Sequence, residues 1–146
     1  MSLGRTLAEE MGRVTGPGTI VVEHEGATAE ADVLDSDRLG SRIAEVRVRR
    51  KEGFDVTDEA ARLSKRIRSL PERLLASEID RGLGGAILRS DPDEMHGGEF
   101  FELEIRASGD SRLRRQKATP GMDRENADFT LTHGQLGRLV DELDRK

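Results

Sequence analysis

The sequence predicts an α+β protein: a mostly antiparallel sheet of about six strands with helices packed on one face, in the order α-βββ-α-βββ(β)-α. Three observations carry this. Runs such as RIAEVRVRR (42–50) and EFFELEIRA (99–107) alternate apolar and charged residues, the two-residue period of a half-buried strand. Short glycine turns, Glu25-Gly26 and SGDS (108–111), join neighbouring runs as hairpins. From Thr57 and again from Thr132 the spacing changes to three and four behind a threonine, as at a helix start.

Taken in order, the first element is a short helix. Thr6 and Glu9 have capping-box spacing, Leu7, Met11 and Val14 share a stripe, and Gly12 marks the end. TGPG (15–18) is a turn. TIVVEHE then reads as a β-branched strand, ATAEADVL as its hairpin partner, and RIAEVRVRR as a third strand. In the third, Ala44, Val46 and Val48 are expected on one face and Glu45, Arg47 and Arg49 on the other. For the next helix Thr57 is the expected N-cap, with Asp58 and Glu59 at the positive end of the helix dipole and Val56 stapled to Ala61. Ala60, Leu63, Ile67, Leu70 and Leu74 carry its apolar stripe, and Pro71 ends or kinks it.

AILRS follows as a short strand, then DPDEMHGG (91–98), then EFFELEIRA with Phe101, Leu103 and Ile105 facing in and Glu102, Glu104 and Arg106 facing out. RLRRQKA is a polar strand, expected at an edge or with an open face, and ADFTL is a last short strand. The final helix has the fullest start signature: Thr132 and Gln135 form a capping box, Leu131 and Leu136 a staple, and Leu136, Leu139, Val140 and Leu143 a stripe. Phe54-Asp55-Val56-Thr57 and Phe129-Thr130-Leu131-Thr132 share one pattern, which raises either a weak duplication relating 19–70 to 85–146 or two uses of one strand-to-helix junction. Residues 1–146 are read as a single domain.

Composition narrows function. Only 34% of residues are hydrophobic, with no Trp or Tyr, so the core is thin and homodimerisation is an open expectation. Mixed-sign charge with clear apolar periodicity separates the chain from disordered sequences. A net charge of −5 has the wrong sign to attract nucleic acid or anionic membrane at long range. With no cysteine there is no thiolate metal site and no thiol nucleophile. The N-terminus lacks a signal-peptide pattern and no stretch approaches a membrane span, so the expectation is a cytoplasmic protein. Basic residues are overwhelmingly Arg, with Lys only at Lys51, Lys65, Lys117 and Lys146, which fits a GC-rich bacterial coding bias.

Within DPDEMHGG, Asp91 as N-cap, Pro92 at the first helical position, and Asp93 and Glu94 in the first turn form a helix-start signature that Gly97-Gly98 stops. The functional alternative is a metal or acid/base site of His96 with Asp91 and Asp93, one imidazole and oxygens at no diagnostic spacing. His24 sits on or at the end of the first strand, and His133 opens the last helix; nothing in the spacing brings the three histidines together. RGLGGA (81–86) lacks the following helix and the Lys-Ser or Lys-Thr of a phosphate loop and reads as a turn. Arg47, Arg49, Arg50 and Lys51 on one strand and Arg112, Arg114, Arg115 and Lys117 on another could combine into a basic sheet face for RNA or single-stranded DNA. Glu102 and Glu104 are candidate cross-strand partners for those arginines, and the aromatic stacking residues of such platforms are missing.

In order of elements, size and acidic balance the chain resembles small secretion chaperones of the α+β type. The likeness is of layout alone and implies dimers that bind unfolded segments of a partner. The added strands of the second half and the polar RLRRQK strand depart from that layout. The reading is therefore a non-catalytic protein-interaction or chaperone-like module with no cofactor and an unknown protein partner. Its contact surface is the sheet face around Arg47, Arg49, Arg114 and Lys117. A nucleic-acid-binding module and a metal-assisted enzyme around His96 are the alternatives.

Overall fold

The computed structural model describes residues 1–93 and 97–144. The chain runs α1 (Leu3–Met11), β1 (Gly18–His24), β2 (Ala27–Ser36), β3 (Gly40–Arg49), α2 (Val56–Arg66), β4 (Leu75–Asp80), β5 (Gly85–Arg89), β6 (Glu99–Arg106), β7 (Asp110–Lys117), β8 (Glu125–Ala127), β9 (Phe129–Thr132), α3 (His133–Asp144). Its α+β class and antiparallel pairing match the expectation, but the sheet has nine strands instead of about six. Seven form the path β1-β2-β3-β7-β6-β5-β4.

Two features of the sheet correct the sequence reading. β4 has no signature in the sequence because all six of its residues are exposed, so it carries no inside-outside alternation. RLRRQK, expected at an edge or with an open face, lies in β7 at the centre, between β3 and β6, with Arg112 and Arg114 on the face away from the helices, so the second alternative holds and the edge does not. A strand this polar is stable there because Leu113 fills the core while carboxylates of its neighbours meet its arginines. Beyond the β3–β7 pairing the two strands part. β8 ascends along β7 as far as Ala127, opposite Arg115, and β9 descends along β3 from Phe129, opposite Ile43, so the two fill the fork. Phe129 meets Phe101 edge to face there, with ring centroids 5.3 Å apart.

All three helices cover one face: α1 lies on β1 and β2, α3 on β3 and β9, and α2 on β4, β5 and β6. Beneath them Ile20, Ala31, Val46, Leu113, Leu103 and Leu88 form a layer across the strands and join the buried faces of the helices in one apolar cluster. In β3 the expected face for Ala44 is wrong. Asp32 pairs with Glu45 and Val33 with Ile43, so Ala44 is the extra residue of a bulge and Ile43 takes the core position.

The helix starts shift for identifiable reasons. Ser2, not Thr6, caps α1: its hydroxyl accepts from the Arg5 N–H at 3.1 Å and donates to Asp141 of α3 at 2.8 Å. Thr6 instead donates to the Ser2 carbonyl. The N-cap of α2 is Asp55, two residues ahead of Thr57, and it accepts from the Asp58 N–H at 3.0 Å. The helix stops at Arg66, ahead of Pro71, where the next amides, of Arg68 and Ser69, donate to the Glu142 carboxylate of α3. Ile67, Leu70 and Leu74 are buried as the stripe required, but beyond the helix. The α3 capping box is as read, with Gln135 N–H donating to Thr132 at 3.1 Å and Thr132 N–H to Gln135 at 2.9 Å. The repeated Phe pattern thus falls on different backbones: 54–57 contains the cap and first turn of α2, whereas 129–132 is β9.

Candidate functional site

The face of the sheet opposite the helices carries no helix; the loop before β8 closes over Phe100 and Glu102, and elsewhere the strand registers arrange the side chains in open rows. One row runs Val21, Glu30, Arg47, Arg112, Glu104, Ile87 and Glu78 from β1 to β4. The next runs Thr19, Asp32, Glu45, Arg114, Glu102, Arg89 and Leu75. Because alternation puts every second residue of each strand on this face, guanidiniums and carboxylates from six strands, β2 to β7, become neighbours.

Two hubs dominate. Arg47 donates to Glu30 at 2.9 Å, to Asp32 at 2.8 Å and to Glu45. These bonds, Asp32's first, raise its pKa above the ordinary guanidinium value, and the same bond lowers that of Asp32. The second hub is inverted: Glu102, only 5% exposed, accepts from Arg89 at 2.8 Å, Arg114 at 3.1 Å and Arg124 at 3.4 Å. Arg124 reaches it from the loop before β8, its guanidinium 5.4 Å above the Phe100 ring. Between β2 and β6 the face dips into a shallow basin of about 620 Å³. Arg47, Arg49, Arg106 and Arg112 line it against Glu30, Glu104 and Asp110. Arg49 grips Asp110 at 2.7 Å, which lowers the pKa of that carboxyl and raises its own.

Of the four predicted contact residues, Arg47, Arg49 and Arg114 share this face, and Lys117 does not. It has the parity of Leu113 and Arg115, on the helix side, where its Cε stands 3.1 Å from the place a Cβ on Gly97 would take. Two other members of the basic clusters are structural. Arg50 is buried among α2, α3 and Phe54, and Arg115 stacks 4.6 Å from the Phe101 ring and donates to Glu99 at 2.9 Å and Glu72 at 3.2 Å. Burial draws the Arg115 pKa down, but those two carboxylates more than offset this. Sequence reasoning missed Arg89, which the register of β5 with β6 sets opposite Glu102, and Arg124, which reaches Glu102 from a loop that carries no periodic signal.

The histidine readings divide. His24 is at the end of β1 with Nε2 3.9 Å from Glu25, and the His133 ring is 3.5 Å from the Ser41 hydroxyl. They lie near opposite ends of β3, about 30 Å apart along the strand. Glu94 and His96 lie outside the described residues, so most of the expected helical turn and the ring of the metal alternative do too. Asp91 is exposed, and Asp93 is in a bridge whose N–H donates to the Glu99 carbonyl at 2.7 Å, closing the β5–β6 connection. No group of three or more metal-ligating side chains occurs among the described residues. RGLGGA is the turn between β4 and β5, with Gly84 at φ 66°. No described helix is long and apolar enough to cross a membrane.

Comparison with family models, curated proteins and solved structures finds no match to this chain.

Proposed function

We propose that the chain is a non-catalytic protein-binding module that meets its partner on the helix-free sheet face, and that a partner segment of mixed charge lies across the basin. The observation carrying this reading is the basin itself. Arg49, Arg106 and Arg112 are each about half or more exposed around it, while Glu30, Glu104 and Asp110 supply acceptors on the same floor. Such a surface suits alternating charges better than a polyanion, whose phosphates would have to displace carboxylates already bonded to arginine. A chaperone-like role, holding an unfolded segment of the partner, belongs to the same reading, as does a bacterial cytoplasmic setting in keeping with the arginine-rich composition.

The test is affinity capture from a native lysate of the source cell with a photo-crosslinker in place of Arg112. A discrete protein adduct that disappears when Arg49 and Glu104 are charge-reversed supports the reading. Absence of any adduct overturns it. So does tight retention of random single-stranded oligonucleotides at 0.15 M salt, which would favour the nucleic-acid alternative, for which Phe100, Phe101 and Phe129 are all buried and offer no ring for stacking.

A further inference from the structure

The two edges of the seven-stranded path differ in a way that concerns association. β4 is a protected edge: its register with β5 breaks at Ser77, and Glu78 and Asp80 place charge along it. β1 carries no such device. All seven residues from Gly18 to His24 pair with β2 in unbroken register, four of its central residues are Ile20, Val21, Val22 and Thr19, and its only carboxylate is Glu23. Its outer side has no strand partner among the described residues. Val21 stands 56% exposed on the helix-free face while Ile20 and Val22 face the core beneath α1.

We propose that the free edge of β1 pairs antiparallel with the β1 edge of a second copy of this chain, about a two-fold axis at Val21. The sequence of the strand is self-complementary in that register. Val21 meets Val21 on the outer face and Ile20 meets Val22 on the inner face, continuing both apolar rows across the joint. Thr19 falls opposite Glu23, so no charge faces its like, and the two Glu23 carboxylates stand about 14 Å apart along the strands. The occupant is a second copy rather than a foreign strand because the strand supplies its own mate residue for residue. Seven residues a side is well short of the roughly 20–30 of a standard interface, so the dimer is weak and exchanges, with dissociation in the micromolar range or above. This pairing uses the sheet edge and is independent of partner binding on the sheet face.

Sedimentation velocity of the purified chain from about 5 to 500 μM tests it. The expected result is a reversible monomer–dimer equilibrium that Val21→Lys weakens at least tenfold, with circular dichroism unchanged, and that Ile79→Lys on the β4 edge leaves intact. Since the chain has no cysteine, Val21→Cys supplies a second readout: a disulfide-linked dimer forms in air at low micromolar protein, and Ile79→Cys remains monomeric under the same conditions. A monomer at every concentration overturns the proposal, as does a dimer that survives Val21→Lys or is lost on Ile79→Lys. Equal crosslinking of the two cysteine variants also overturns it.

Discussion

At the residue scale, Arg50 is where three elements converge. Its Nε donates to the Leu143 carbonyl at 3.2 Å and the Asp144 carbonyl at 3.0 Å, near the negative end of α3, while Nη1 pairs with Glu59 of α2. Glu59 also accepts from Arg62 at 2.6 Å. Burial lowers the pKa of Arg50, with Glu59 acting in the opposite direction. Removing Arg50 takes one of two guanidinium partners from the buried Glu59, Arg62 remaining, and a donor from the carbonyls that end α3, so Arg50→Met is expected to cost about 1–3 kcal/mol in urea unfolding. The double variant Arg50→Met with Glu59→Leu should cost less than the sum of the singles, because each single already breaks the bond the two share. In the sequence Arg50 looked like one more member of a surface cluster, since burial of a charge depends on what folds over it from elsewhere in the chain.

Elements are held by local signals and by close packing that no local signal announces. Thr132→Ala removes the hydroxyl that accepts from the Gln135 N–H, leaving only the backbone half of the reciprocal cap, and is expected to cost about 1 kcal/mol, or roughly 3–5 °C in Tm. By contrast, the α1–α3 crossing depends on two glycines. A Cβ on Gly4 would sit 1.8 Å from the Gly137 carbonyl oxygen, and one on Gly137 would sit 2.8 Å from that of Gly4. The backbones touch there, and Asp141 further ties α3 to the Gly4 N–H at 2.8 Å. Gly4→Ala should force the helices apart and cost about 1–3 kcal/mol, read from thermal melts beside the exposed control Gly134→Ala, where a Cβ meets nothing closer than 3.7 Å. The start of α3 was legible because cap, staple and stripe lie within a dozen residues. The start of α1 falls on Ser2, whose hydroxyl is held by the distant Asp141, and the start of α2 falls on Asp55, which takes the Asp58 N–H ahead of Thr57.

At the scale of the whole molecule, the helix-free face makes stability depend on ionised carboxylates. Asp32 and Asp110 have pKa values below the ordinary range, mainly through Arg47 and Arg49 respectively. A carboxyl whose folded pKa is depressed contributes stability in full above its unfolded pKa of about 3.9 and loses it as pH falls through the folded value. The urea midpoint should therefore be flat with respect to these groups from pH 7 to about 5 and fall below about 4. Asp32→Asn should lower the midpoint at pH 7 and flatten the acid decline. The reverse trend, a midpoint rising toward pH 3, would contradict the pairing.

What the sequence by itself determined is the class and the alternation: which strands have an apolar face, where glycine turns reverse the chain, and how α3 begins. Each depends on residues within a turn or a hairpin of one another. Tertiary structure alone decided that a polar strand sits at the centre, that β8 and β9 fill a fork, and that Arg112 and Arg114 share a face with Arg47. Those outcomes follow from the pairing of β3 with β7, whose partners lie more than sixty residues apart. Register over such a span is set by the fit of whole faces against the helices, and no local stretch of sequence contains that fit.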